Sequence, residues 1–222
     1  MMMKAVREFA DTSAKGVAVR GFLHQPDKPA TEGLVLTHGA GSNCQSPLLI
    51  ALAEAFCAGG WIVLRCDLPF RQARPHGPPP RRNGERDQAG LRAAIEALRR
   101  FASGRIYLGG HSYGGRQASM LAAAEPGLAE ALLLLSYPLH PPQRPDVVRT
   151  AHLPELRTPV LFVHGTADDF GSISEMEDAR RLFSVRTELL PVPGAGHELV
   201  TPRNRGELAG FIAKTFIRFA RR

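Results

Sequence analysis

The stretch Gly109-Gly110-His111-Ser112-Tyr113-Gly114-Gly115, directly behind the apolar run Arg105-Ile106-Tyr107-Leu108, constrains the fold more than any other part of this sequence. It predicts a buried strand, a turn too tight for ordinary residues, and a helix from about Ser112 to Ala124. Gly110-x-Ser112-x-Gly114 has the spacing of a nucleophile elbow, in which a strained serine projects its hydroxyl from the top edge of a sheet. The positions two before and two after the serine lie against neighbouring strand and helix, where a Cβ clashes. The same turn leaves backbone N–H groups at a helix N-terminus unpaired and aimed at whatever Ser112 attacks.

Around this element the pattern alternates. Residues 4–10 and 16–24 read as two short strands joined by the turn Asp11-Thr12-Ser13-Ala14-Lys15. Gly33 to Thr37 is a compact apolar strand running into His38-Gly39-Ala40-Gly41-Ser42. A helix follows from Ser46 to Ala58, opened by Ser46 with Pro47 at its first position and closed by Gly59-Gly60. Trp61 to Cys66 is a strand ending at Asp67. Residues 68–86, rich in proline and arginine, read as an irregular loop of the functional kind.

Apolar spacing at Leu91, Ala94, Ile95 and Leu98 predicts a helix from Asp87 to Phe101. Strands are expected at Ala131–Ser136, Pro159–His164 and Thr187–Val192. Helices are expected at 146–152, Ile173–Phe183 and Glu207–Arg221, with a second proline-rich loop at Pro138–Pro145. Short apolar strands alternating with helices imply an α/β fold: a doubly wound, mostly parallel sheet with helices on both faces. The 222 residues contain no repeat and no domain-sized linker, so residues 1–222 are read as one domain.

Composition narrows the classes of function. With 44% hydrophobic and 22% charged residues, the sequence has the make-up of an ordinary soluble globule. Cys44, Cys57 and Cys66 cannot all pair, Met1 to Ala10 is no signal peptide, and Ala131 to Leu135 is too short to span a bilayer. The expectation is a cytoplasmic protein with reduced thiols and no membrane association. A net charge of +7 raises the question of nucleic acid, but the arginines are scattered, with no stacking ladder of aromatics and no recognised motif. Nucleic acid is therefore not an expected partner. Gly39-Ala40-Gly41-Ser42-Asn43-Cys44 resembles a dinucleotide loop but has Cys44 where the third glycine belongs, and the elbow lacks the Lys and Ser/Thr of a P-loop.

A serine hydroxyl becomes a useful nucleophile when a base takes its proton and a carboxylate orients that base. In a doubly wound sheet these partners belong just after later strands. Two segments qualify: His164-Gly165-Thr166-Ala167-Asp168-Asp169, and Pro193-Gly194-Ala195-Gly196-His197. His197 is the candidate general base. His38 and His164 are read as loop-orienting hydrogen-bonders. The backbone N–H of Tyr113 is one candidate oxyanion donor, and the N–H of Ala40, in the glycine-flanked loop after residues 33–37, is the other.

His38-Gly39-Ala40-Gly41, Gly110-His111-Ser112-Tyr113-Gly114, His164-Gly165-Thr166-Ala167-Asp168 and Gly194-Ala195-Gly196-His197 occur in an order and spacing that resemble the α/β-hydrolases through nearly the whole chain. Within that superfamily the sequence looks most like the small dienelactone-hydrolase-like group, which also holds the hydrolase-like domain of an NSL chromatin-complex subunit. The subgroup resemblance rests on Gly114-Gly115-Arg116-Gln117-Ala118-Ser119 and His164-Gly165-Thr166-Ala167-Asp168-Asp169-Phe170-Gly171. The family pattern puts the acid three residues after the glycine, which selects Asp168. Asp169 is then a solvated neighbour or helix cap. Dienelactone hydrolases use a cysteine where this chain has Ser112, so the resemblance does not carry that substrate over.

Only Tyr137 to Thr158 separates two strands where many relatives carry a helical cap, so an uncapped, open site is expected, bordered by 68–86 and 137–146. Arg71, Arg74, Arg81 and Arg82 are then candidates to meet an anionic substrate, or simply solvated surface. What the resemblance implies is a serine esterase with catalytic Ser112, Asp168 and His197 and oxyanion donors Ala40 and Tyr113. It would need neither cofactor nor metal, and its partner would be a small-molecule ester or thioester. The competing class is a non-catalytic protein-interaction module on a hydrolase fold.

Overall fold

The computed structural model describes residues 4–13, 17–80 and 82–222. Eight strands make one sheet: β1 (Lys4–Asp11), β2 (Val19–Gln25), β3 (Gly33–Thr37), β4 (Ile62–Cys66), β5 (Ile106–His111), β6 (Leu132–Leu135), β7 (Val160–Gly165) and β8 (Thr187–Val192). Their order is β1-β2-β4-β3-β5-β6-β7-β8. β1 and β2 are antiparallel, β2 meets β4 antiparallel, and from β4 onward every pair is parallel. The helices are α1 (Pro47–Ala58), α2 (Pro69–Ala73), α3 (Gly84–Arg99), α4 (Tyr113–Ala124), α5 (Ile173–Arg180) and α6 (Leu208–Ala220). This is the doubly wound α/β sheet expected, and among the described residues it carries no cap domain.

Strands β3 to β7 are buried on both faces, so their side chains feed two cores by alternation. Leu34, Leu36, Leu133, Leu135, Leu161 and Val163 pack with α1 and α6. Val35, Leu132, Leu134, Val160 and Phe162 point the other way, toward α3, α4 and α5. Under α1 and α6, Trp61 stacks on Tyr107 at 4.5 Å and Phe216 meets both edge-on at 6.0 and 5.8 Å. Each such pair contributes roughly 0.5–1.5 kcal/mol beyond its area. The boundaries of α1 follow from sequence: the Ser46 hydroxyl accepts from the Leu49 N–H, Pro47 occupies the first turn, and Gly60 takes φ 86° just past the end.

Three local expectations need correction. The 68–86 segment is not wholly irregular, because Pro69 starts the short helix α2 and α3 begins at Gly84 rather than Asp87. The helix expected at 146–152 is absent; a single 3₁₀ turn at Leu153–Glu155 takes its place. The opening hairpin pairs as expected, but Asp11 belongs to β1, and Ala14 and Lys15 of the turn lie outside the described residues. No helix among the described residues is long and apolar enough to cross a membrane.

Parallel order brings the carboxyl ends of β3, β5, β7 and β8 to one edge of the sheet, where His38, His111, His164 and His197 all sit. Burial is the leading cause that holds His38, His111 and His164 below their ordinary value, and it brings His24 on β2 and His152 down to about 4, the neighbouring Arg65 and Arg116 cations adding to the effect. These five rings resist protonation when folded and accept it when unfolded. Stability is therefore unaffected above pH 6.5 and falls as the pH drops below it, each ring contributing about 1.4 kcal/mol per pH unit once its folded and unfolded forms differ by a proton. Urea midpoints measured from pH 7 to 4 should drop steeply below 6.5. His24→Gln, which keeps an acceptor for the Arg65 guanidinium, should reduce that slope by about one proton.

Candidate active site

Ser112 stands between β5 and α4 at φ 50° and ψ −117°, a left-handed conformation that costs a non-glycine residue about 1–3 kcal/mol. The surrounding glycines are fixed by close approach. A Cβ on Gly114 would fall 2.4 Å from the His38 carbonyl oxygen, and one on Gly110 would fall 2.5 Å from the Gly115 nitrogen. Both obstacles are backbone, so neither can give way. The elbow therefore presses α4 against the loop after β3.

The three residues selected from sequence meet in one hydrogen-bonded chain. The Ser112 hydroxyl lies 2.7 Å from His197 Nε2, and His197 Nδ1 lies 2.9 and 3.0 Å from the two Asp168 oxygens. With Nδ1–H donating to the carboxylate, Nε2 is free to accept from the serine. Burial alone would raise the Asp168 carboxyl, but hydrogen bonds from His197 and the Phe170 N–H, helped by the nearby imidazoles, hold it below its ordinary value. Asp168 is thus ionised at neutral pH. Asp169 is exposed and makes no such contact.

Neighbours fix the imidazole further. Phe170 stacks on the His197 ring at 4.1 Å, and the His111 Nε2–H donates to the His197 carbonyl at 2.9 Å. His164 Nε2–H donates to the Gly171 carbonyl at 2.7 Å. His38 Nδ1–H donates to the Gly39 carbonyl at 2.8 Å while its Nε2 accepts from the Leu68 N–H at 3.1 Å. His38 and His164 orient loops, as expected. The N–H groups of Ala40 and Tyr113 donate to no partner among the described residues, which leaves both available to a ligand.

What sequence reasoning missed is how the loop after β3 is held. Arg71, on α2, is only 5% exposed. Its guanidinium donates to the carbonyls of Ala40 and Ser42 at 2.7 Å, and to Gly77 and Arg74 at 3.0 and 3.1 Å. It has no carboxylate partner among the described residues. This corrects the grouping of Arg71 with arginines facing an anionic substrate: its donors are spent on backbone. Arg74 and Arg82 are exposed, and Arg81 lies outside the described residues.

Asp87, fully buried, performs the matching task on the other side of α2. It accepts from the Phe70 N–H at 3.0 Å, the Asn83 amide at 2.9 Å and the Tyr113 hydroxyl at 2.7 Å. Burial and this carboxylate push the Tyr113 phenol up, so it remains a donor. The Leu68-Pro69 step, with proline at a first helical position, was the available signal for α2. Nothing local marked Arg71 or Asp87. Asp67, the residue a dinucleotide fold would turn toward a ribose, instead accepts from the Cys44 N–H at 2.7 Å.

A family model described as an alpha/beta hydrolase domain matches residues 30–218. The chain belongs to the α/β-hydrolase family. Solved structures agree on the fold. The hydrolase is similar to a dienelactone hydrolase from Anabaena variabilis at 24% identity and TM-score 0.77, over 97% of this chain and 99% of that one. It is also similar to an α/β serine hydrolase homologue from Coxiella burnetii at 17% identity and TM-score 0.74, over 94% and 96% of the two chains. A third match, at 18% identity and TM-score 0.70 over 97% and 95%, is an α/β serine hydrolase without a lid from Xanthomonas campestris.

Replacing Arg71 by alanine in this hydrolase would leave four carbonyls without their donor, two of them in the loop that carries Ala40. Breaking a buried charged hydrogen-bond cluster of this kind costs about 3–5 kcal/mol. Arg71→Ala should show that loss in urea unfolding, with the amides of Ser42 and Cys44, which donate to the Gly39 carbonyl and the Asp67 carboxylate, losing hydrogen-exchange protection first.

Proposed function

We propose that this α/β-hydrolase, acting as one domain, is a serine hydrolase that cleaves an ester or thioester of a small to medium acyl substrate through an acyl-enzyme. The reading rests above all on the 2.7 Å contact between Ser112 Oγ and His197 Nε2, backed by Asp168 at 2.9 Å from the opposite ring nitrogen. That polarity suits proton transfer from serine to histidine, with the carboxylate stabilising the imidazolium that results.

In the proposed reaction Ser112 Oγ attacks the acyl carbonyl while His197 Nε2 takes its proton. The carbonyl oxygen becomes an oxyanion facing the N–H groups of Tyr113 and Ala40, a pair whose contribution in such sites is on the order of several kcal/mol. Collapse of the tetrahedral intermediate expels the alcohol or thiol, which receives the proton from His197. Water then attacks the acyl-serine, giving a proton to His197, which passes it to Ser112 Oγ as the serine departs and the acid is released. The Anabaena and Xanthomonas proteins, a dienelactone hydrolase and a serine hydrolase by name, support this class of chemistry. The site here carries Ser112 as nucleophile, and that favours ordinary esters and thioesters.

Intact-mass analysis after a fluorophosphonate probe should give a single adduct on the wild-type chain and none on Ser112→Ala, with hydrolysis of an ester panel falling by several orders of magnitude in Ser112→Ala and His197→Ala. A folded wild-type chain that takes up no probe would overturn the reading in favour of an interaction module.

A further inference from the structure

A cavity of about 520 Å³ opens between α1, α6 and the loop after His197. Ser112, His197, Ala40 and Tyr113 do not themselves line it, but three of its wall residues lie within two positions of these groups in the chain. His111 precedes Ser112, Glu198 follows His197, and Ser42 lies two residues past Ala40. The His111 ring is tied to the His197 carbonyl. The cavity therefore abuts the elbow, the base loop and the oxyanion loop together, on the α1/α6 face of the sheet.

Besides the Ser46 hydroxyl and Arg205, its remaining walls are aliphatic: Pro47, Leu48 and Ala51 of α1, Val200, and Leu208 and Ala209 of α6. No aromatic ring other than the His111 imidazole lines it. The two charged side chains on it, Glu198 and Arg205, have opposite signs, so the walls offer neither a net cation nor a net anion a counter-charge. The volume falls within the roughly 300–1,000 Å³ typical of small-molecule sites. We propose that this cavity is the subsite for an unbranched aliphatic chain of medium length on the substrate, an inference that rests on the serine-hydrolase reading. The chain belongs either to the acyl group or to the alcohol, and the two are distinguishable by experiment.

Burying one methylene is worth about a fourfold gain in kcat/KM. Two ester series separate the sources: p-nitrophenyl esters of acetate to decanoate, and acetates of ethanol to decanol. The wild-type enzyme should gain about fourfold per methylene in one series and stay flat in the other, the rising series naming the acyl or the alcohol side. Ala209→Phe fills the cavity from the helix and Val200→Trp from the loop, and neither residue touches the reacting atoms. Both should flatten the rising series while leaving acetate hydrolysis and fluorophosphonate labelling of Ser112 unchanged.

Calorimetric binding of decan-1-ol supplies a readout independent of turnover. Binding by the wild type and its loss in both variants supports the subsite, even if Ser112 takes no probe and the serine-hydrolase reading fails. A wild type that is flat in both series and does not bind decan-1-ol overturns the subsite, whatever Ser112 does. So does binding, or a chain-length profile, that survives in both filled variants.

Discussion

The close approach between Gly114 and the His38 carbonyl, 2.4 Å from where a Cβ would stand, governs the geometry of the whole upper edge of the sheet. It brings the first turn of α4 against the end of β3, so the chain just after Ser112 packs beside the loop that carries Ala40. The conformational strain at Ser112 is held in place by what surrounds it: β5 pairs with β3 on one side and β6 on the other, and the Ser112 N–H itself donates to Leu135 at 2.8 Å. Strain of this kind persists only where neighbouring structure over-determines it. Here that structure is the central parallel part of the sheet.

A second constraint is the direction of hydrogen bonds around the imidazoles. In His38, one ring nitrogen donates and the other accepts, so a second proton has no place to go without breaking a contact. His111 and His164 are kept neutral mainly by burial, each spending its N–H on a carbonyl. His197 differs because its Nδ1 is hydrogen-bonded to the Asp168 carboxylate while its Nε2 meets the Ser112 hydroxyl. In the proposed reaction it is the histidine of this edge that takes up the serine proton and holds it as an ion pair. The neutral rings around it position loops without placing competing cations beside it.

Much of this was legible in sequence because the signals are local. Glycines two residues either side of Ser112 specify a turn, Ser46-Pro47 and Gly59-Gly60 delimit α1, and apolar runs of four to six residues mark strands. The segments carrying His197 and the acid were located because the carboxyl ends of parallel strands converge, and the resemblance to the hydrolase pattern chose Asp168 over Asp169. The failures were long-range. Arg71 reads as one more arginine in a proline-rich loop, and nothing near it in sequence says that carbonyls 29 and 31 residues away surround it. Asp87 reads as an ordinary acidic residue in the first turn of a helix, a favourable place for it on local grounds alone. Its burial depends on Tyr113 and Phe70 arriving from elsewhere. At 146–152, Val147, Val148 and Ala151 share a helical face, but all three stay exposed, so tertiary packing does nothing to stabilise a helix there.

The choice of partner for Arg71 follows from the chemistry next to it. A buried guanidinium is commonly matched with a carboxylate, which would cancel its charge. Carbonyl oxygens satisfy the same N–H groups while leaving the positive charge in place. In the proposed reaction the negative charge develops beside the 40–42 loop, the segment that Arg71 grips through the Ala40 and Ser42 carbonyls. A carboxylate there would put a fixed negative charge against the forming oxyanion. Two carbonyls of the loop and those of Arg74 and Gly77 take up the guanidinium instead, which ties the loop down and keeps a cation behind it. Asp87, the carboxylate that the same helix does use, is turned to the opposite side, where the Phe70 N–H, the Asn83 amide and the Tyr113 hydroxyl surround it. The short helix α2 thus separates a cation and an anion that would otherwise pair, and each then braces one of the two proposed oxyanion donors.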